Sequence, residues 1–249
     1  MRPIERGNIP RDDNDQIITV SNHRQWRKHL IDRIGKYCSY CEMALYDSPQ
    51  VEHVIAQNID SSRNLDWDNL VLACGPCNRT KSNTPCPPET HYLPDIHNTY
   101  LAFGHYLGNN TKTGEPAAYI TTKSSSHSLM QIDKAINTIN LCGLNKDTSS
   151  DVRTACDFRW KYRLEAITSA LLWKQKWDDW GSHSHSQDFI NLLCDAALGK
   201  GFFSIWFYIF EAEPSIKKSL IEAFPNTALD CFDSSNDYNP VARNAPDDI

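Results

Sequence analysis

The sequence predicts an α+β protein in which a small ββα unit, pinned by paired cysteines, precedes a mainly α-helical C-terminal region. Three observations carry this. Two Cys-x-x-Cys pairs, Cys38 with Cys41 and Cys74 with Cys77, bracket two apolar runs, residues 51–55 and 70–73, that are long enough for short strands only. The residues from Asn78 onward read as a helix start. Beyond residue 128, apolar residues recur at three- and four-residue spacing between capping signals.

Composition bounds the function. With 40% hydrophobic and 10% aromatic residues, including 7 Trp, the 249-residue chain should fold, as two units of unequal size. A net charge of −6 excludes a whole-surface nucleic-acid binder, so any phosphate contact must be local. Residues 1–36 carry Arg2, Arg6, Arg11, Arg24, Arg27, Lys28, Arg33 and Lys36 against five acids. These are either a local basic surface or ordinary solvated charges. No apolar run reaches the roughly 18 residues of a membrane span, and no apolar segment follows Met1–Gly7. A cytoplasmic protein with no membrane partner is expected. In that reducing compartment 9 cysteines, an odd number, suit metal ligation and buried thiols better than disulfides.

In chain order, residues 1–36 read as an extended arm followed by a helix. The helix is capped at Ser21 or Asn22, has Trp26, Leu30 and Ile34 on its buried face, and stops at Gly35. Residues 37–86 form the cysteine-pinned core. Residues 87–128, rich in proline and polar residues, read as an irregular insertion or linker with weak strand signals at 100–103 and 117–121. Residues 129–249 form the helical region, with helices at 129–141, 149–177, 187–198 and 214–224 and a buried apolar segment at 202–210. In the longest helix Val152, Cys156, Trp160, Leu164, Ile167 and Leu171 form an apolar stripe, and Arg153, Arg159, Lys161 and Arg163 the opposite face. Trp173, Trp177 and Trp180 have the character of interface anchors, equally that of core filler.

The two cysteine pairs lie 32 residues apart. Each two-residue spacer lets both thiolates reach one ion, so Cys38, Cys41, Cys74 and Cys77 should close a tetrahedral, structural zinc site, with Gly75 easing the second turn. A redox reading lacks the βαβ context it needs. Cys86, Cys142, Cys156, Cys194 and Cys231 read as buried free thiols.

Between and after the pairs stand Glu52, His53, Asn69, Asn78, Arg79 and Lys81. Glu52 and the Asn78 amide oxygen suit a hard cation, Mg²⁺ or Mn²⁺, that polarises a phosphate oxygen. His53, as neutral imidazole, suits removal of a proton from water, and Arg79 or Lys81 would steady phosphate charge. Singly these are weak signals. Their order inside a four-cysteine frame points to phosphodiester hydrolysis, against the alternative of a catalytically inactive zinc-stabilised module that binds nucleic acid or protein.

At these residues the chain resembles the HNH, or ββα-metal, endonucleases. The resemblance implies His53 as general base, Glu52 and Asn78 as metal ligands, and Asn69 as a non-catalytic residue that holds the loop between the strands. Glu52 stands where Asp is commoner and Asn78 where many members carry His, which favours Mg²⁺ or Mn²⁺ over a softer metal. The start Met1–Gly7, the run Tyr37–Glu42 and the run Leu141–Asn145 further resemble the PtuB family, the HNH subunits of Septu and retron anti-phage systems. That resemblance implies a toxin-like effector working with a PtuA-like ATPase of the SMC/ABC type, and in retron systems with a reverse transcriptase and its RNA–DNA product. Either DNA, the default, or RNA such as tRNA would be its substrate.

Overall fold

A computed structural model describes residues 1–123, 128–146, 157–180 and 186–243. The fold is α+β. A turn at His23–Trp26 leads into α1 (Arg27–Ile34). There follow β1 (Gln50–His53), β2 (Leu70–Ala73), α2 (Gly75–Lys81), α3 (Thr99–Ala102), β3 (Phe103–Asn109) and β4 (Pro116–Thr122). The helical region comprises α4 (Leu129–Leu141), α5 (Arg159–Trp180), α6 (Ser186–Lys200), α7 (Phe203–Ile209) and α8 (Pro214–Ala223), and β5 (Phe232–Asp233) pairs with β6 (Asn239–Pro240) at the end.

Local chemistry explains most boundaries. The Asn22 side chain accepts from the backbone N–H groups at the start of the turn while Gln25 reaches back, which satisfies donors that a helix start leaves free. Gly35, at φ 75°, ends α1 where a side chain would be strained. Trp26, Leu30 and Ile34 are buried as their four-residue spacing predicts. β1 and β2 pair antiparallel with Gln50 opposite Ala73 and His53 opposite Leu70, so β1 stops two residues short of the predicted Ile55. α2 starts earlier than expected: Cys74 is its N-cap, Pro76 occupies the first turn where a missing N–H costs nothing, and Asn78 lies inside the helix. Gly75 has no positive φ, so the second knuckle is an ordinary helix start and not a glycine turn.

Two regions depart from the sequence reading. The N-terminal arm is not a solvated arm: Met1, Arg2 and Ile4 are buried. The Arg2 guanidinium donates to the carbonyls of Ile34 and Pro225 and to Thr227, with its pKa lowered by burial to about 10. Of the predicted linker 87–128, residues 124–127 lie outside the described residues, and residues 87–123 are no linker. β3 and β4 form a seven-residue hairpin whose turn is closed by the Asn110 side chain accepting from Lys112 and Thr113, while Tyr92, His97 and Asn98 are buried. The proline-rich composition hid this ordering, because proline marks loops without saying whether they are packed.

Besides a small cluster of Ala117, Tyr119 and Trp160, the core comprises two large clusters that cut across the predicted boundaries. One joins Met1, Trp26, the ββα unit, Tyr92, Phe103 and the inner face of α4; the other joins α5 to α8 around Trp206, Phe203 and Phe224. α4 matches its predicted bounds but packs with the ββα unit. In α5 the buried face is Arg159, Trp160, Arg163, Ala166 and Ala170, and Leu171 is exposed, so the predicted stripe and its basic opposite face are rotated. Val152, Arg153 and Cys156, with the predicted start of that helix, lie outside the described residues. Trp173 and Trp177 pack on Phe189 of α6, and Trp180 is 61% exposed. The segment 202–210 forms the helix α7 over Phe203–Ile209 and is buried as predicted except at exposed Tyr208 and half-buried Ile209.

The two halves meet tightly at Gly201, which has φ 74° and lies beside the first cysteine knuckle. A Cβ there would stand 2.6 Å from the Glu42 carbonyl oxygen and 2.8 Å from the Ala44 nitrogen. Gly201→Ala should therefore cost about 2–4 kcal/mol, combining backbone strain with overpacking. In urea denaturation the midpoint should fall with the slope unchanged. Gly199→Ala, with nothing within 4 Å of its Cβ, should leave the midpoint at or above that of the parent.

Candidate active site

The four sulfurs of Cys38, Cys41, Cys74 and Cys77 lie within 4.8 Å of one another, all buried, and Cys41 and Cys74 are 3.7 Å apart. A tetrahedral zinc with bonds of about 2.3 Å sets its sulfurs about 3.8 Å apart, so the cluster fits that ion. Backbone amides point at the sulfurs, Cys41 N–H at Cys38 and Cys77 N–H at Cys74. No further group of three or more metal-binding side chains occurs among the described residues. Cys86, Cys142, Cys194 and Cys231 are buried free thiols as expected, and Cys156 lies outside the described residues.

Sequence reasoning missed Arg159. Its Nη1 donates to the Cys77 sulfur at 3.0 Å and to the Cys142 carbonyl, and its Nη2 donates to the Gly143 carbonyl and Asp157. Burial opposes its charge, but the Cys77 thiolate and Asp157 outweigh it and raise the pKa. Arg163, one turn on, donates to the carbonyls of Ala118 and Leu144. The run Leu141–Asn145 thereby gains a physical role. Cys142 and Gly143 accept from Arg159, Leu144 is buried, and Asn145 bridges both polar groups of the Ile120 backbone on β4.

The other predicted residues gather where β1 meets α2. Gln50 and Glu52, two residues apart on β1, share a face and both reach α2. Gln50 accepts from Asn78 Nδ2 at 2.8 Å, and the Glu52 Oε1 is 2.9 Å from Lys81 Nζ. Lys81 also donates to the His53 carbonyl at 2.8 Å and is fully buried, so it holds the end of β1 against the helix. It offers no surface to nucleic acid, contrary to expectation. The reason is helical: Lys81 follows buried Cys77 by four residues and shares its inward face, whereas Arg79 points outward and is exposed.

His53 Nε2 lies 2.9 Å from the Asn64 carbonyl oxygen. A carbonyl only accepts, so Nε2 carries the hydrogen and Nδ1 keeps the basic lone pair in the neutral ring. The loop that presents Asn64 is held by buried Asn69: its Oδ1 accepts from Ile55 N at 2.7 Å and its Nδ2 donates to the Ile55 and Arg63 carbonyls. Burial raises the pKa of the Glu52 carboxyl despite Lys81.

Glu52, His53, Asn78 and Arg79 line one open groove of about 420 Å³. His23, from outside the ββα unit, lines it too, its ring 4.6 Å from that of His53, edge to face. With Glu52 Oε1 taken by Lys81 and Asn78 Nδ2 by Gln50, the other Glu52 oxygen and the Asn78 amide oxygen are the donors left for a metal. Two hard oxygens with room for water suit Mg²⁺ or Mn²⁺.

Residues 38–84 match the HNH endonuclease family. No curated protein and no solved structure matches the chain. The HNH domain supports a metal-dependent nuclease, and the four-cysteine cluster and every lining residue of the groove except His23 lie on it. No helix among the described residues is long and apolar enough to cross a membrane.

Purified protein should carry about one tightly held zinc per chain, since a closed four-thiolate site contributes folding free energy directly. Cys74→Ser should be insoluble or protease-sensitive. Metal analysis beside near-UV circular dichroism checks this, and a zinc-free preparation keeping its spectrum and thermal transition would refute it.

Proposed function

We propose that the groove is the active site of an endonuclease that hydrolyses phosphodiester bonds, with His53 as general base. The observation that carries this is the Asn64 carbonyl on His53 Nε2, which leaves Nδ1 as the base in a groove shared with two hard oxygen donors. Nδ1 takes a proton from water, the water oxygen bonds to phosphorus, the bond from phosphorus to the 3′ oxygen breaks, and that oxygen takes up a proton from solvent. A divalent cation held by Glu52 and Asn78 would supply Lewis-acid stabilisation of phosphate charge. Asn69 keeps the loop that orients His53, Lys81 keeps β1 on α2, and Arg79 faces the phosphate. No step needs a 2′-OH, so DNA is the first substrate to test and folded RNA such as tRNA the second.

The resemblance at Met1–Gly7, Tyr37–Glu42 and Leu141–Asn145 supports a cellular setting in which this nuclease is the effector of a Septu- or retron-type anti-phage complex. A PtuA-like ATPase, and in retron systems a reverse transcriptase with its RNA–DNA product, would restrain it. Exposed Leu171, Leu172 and Trp180 on α5 and Leu192 on α6 are the surface we assign to the ATPase. Sequencing nucleic-acid ends from cells in which the system has been triggered would separate DNA from RNA.

His53→Ala should lower turnover by a factor of roughly 10² to 10⁴ without changing zinc content or thermal stability, because the base acts only in the transition state. A variant cutting faster than about a tenth of the parent rate contradicts the assignment.

Brief EDTA treatment that spares the zinc should stop plasmid nicking, and Mg²⁺ or Mn²⁺ should restore it, because a site with two protein oxygens holds its ion weakly. Undiminished nicking in EDTA removes the second metal from the reaction.

A further inference from the structure

The N-terminal turn brings more than His23 to the groove. His23 lines the groove, Arg24 follows it in the same turn, and Arg27 stands four residues beyond His23 at the start of α1, the spacing that brings side chains to one side of a helix. Arg24 and Arg27 are exposed, and among the described residues no carboxylate pairs with them or with Arg79. Other basic residues of this region are engaged: Arg2 with backbone carbonyls, Arg6 with Asp95, Arg11 with Asp15 and Lys28 with Asp32. Glu52 is the one carboxylate lining the groove, and Lys81 neutralises it. Arg79 lines the groove and Arg24 and Arg27 stand on the turn and helix that bring His23 to it, so three guanidinium groups with no carboxylate partner among the described residues lie on the elements around it, a local positive field in a chain of net charge −6.

We propose that the turn His23–Trp26 and the first residue of α1 form the second wall of the substrate site, with Arg24 and Arg27 binding the nucleic-acid phosphates that flank the cleaved one. This rests on the nuclease reading of the groove. Guanidinium groups suit the task because they bind phosphate oxygens in pairs and stay charged. The turn is fixed for it: Asn22 and Gln25 cap it, and Trp26 anchors it by donating to the Leu65 carbonyl inside the same loop that orients His53. The segment lies outside the 38–84 family match, so the ββα unit alone carries half of such a site.

The test uses the full chain. In a His53→Ala background, which binds without cutting, fluorescence anisotropy follows a labelled DNA duplex and an RNA hairpin of equal length over a salt series. Adding Arg24→Ala and Arg27→Ala should reduce the slope of log K against log salt by about 2 on the preferred nucleic acid, close to 0.9 for each lost contact to duplex DNA. In the cutting background the same pair should raise KM at least about tenfold with kcat within about twofold, as loss of uniform binding predicts. Lys28→Ala, already paired with Asp32, should change neither. An unchanged slope and KM, or no binding of either nucleic acid at low salt, overturns the proposal. Arginine-dependent binding by a chain that never cuts keeps this wall and removes the catalytic reading. Cutting with arginine-independent KM does the reverse.

Discussion

Four thiolates around one divalent ion leave about two negative charges over, and the cluster here is sealed from water. A buried charge of that kind needs a partner within the protein. Arg159 supplies it from α5, far along the chain, and the same guanidinium gathers Asp157 and the carbonyls of Cys142 and Gly143. The zinc frame is therefore not a free-standing module with helices attached. Its charge balance ties the helical half to the second knuckle, and Gly201 against Glu42 ties it to the first.

The groove depends on that frame through α2. Cys74 and Cys77 set where the helix begins, the helix places Lys81, and Lys81 holds both the Glu52 carboxylate and the His53 carbonyl. On the other strand Asn69 follows from the turn at Trp67–Asn69 and clamps the loop whose Asn64 carbonyl sets the His53 tautomer. Glu52 and His53 are thus held by groups on the helix and the loop that border the cysteine frame.

The N-terminal segment joins this arrangement from the opposite direction in sequence. Arg2 is sealed against Ile34, Pro225 and Thr227, Arg6 against Asp95 and the Asp68 carbonyl, and Trp67 donates to the Gly7 carbonyl. A basic count over residues 1–36 therefore mixes two populations. Some of these charges are structural cations inside the fold, and others, Arg24 and Arg27 among them, are exposed and have no carboxylate partner among the described residues.

The sequence by itself determined the cysteine frame, the order strand, strand, helix within it, the capped helix on Trp26, Leu30 and Ile34, and the bounds of α4, because each is written in spacing, caps and apolar period over a few neighbouring residues. The choice of Glu52, His53, Asn69 and Asn78 as candidates was legible for the same reason. Tertiary structure alone decided that Lys81 turns inward, that Arg159 and Arg163 are buried, that β3 and β4 pair between residues 103 and 122, and that His23 meets His53. A long cationic side chain gives no local sign of whether it meets water, a carboxylate or a thiolate. Its burial is favourable only where a partner from another part of the chain repays desolvation, and that partner exists only once the chain has folded.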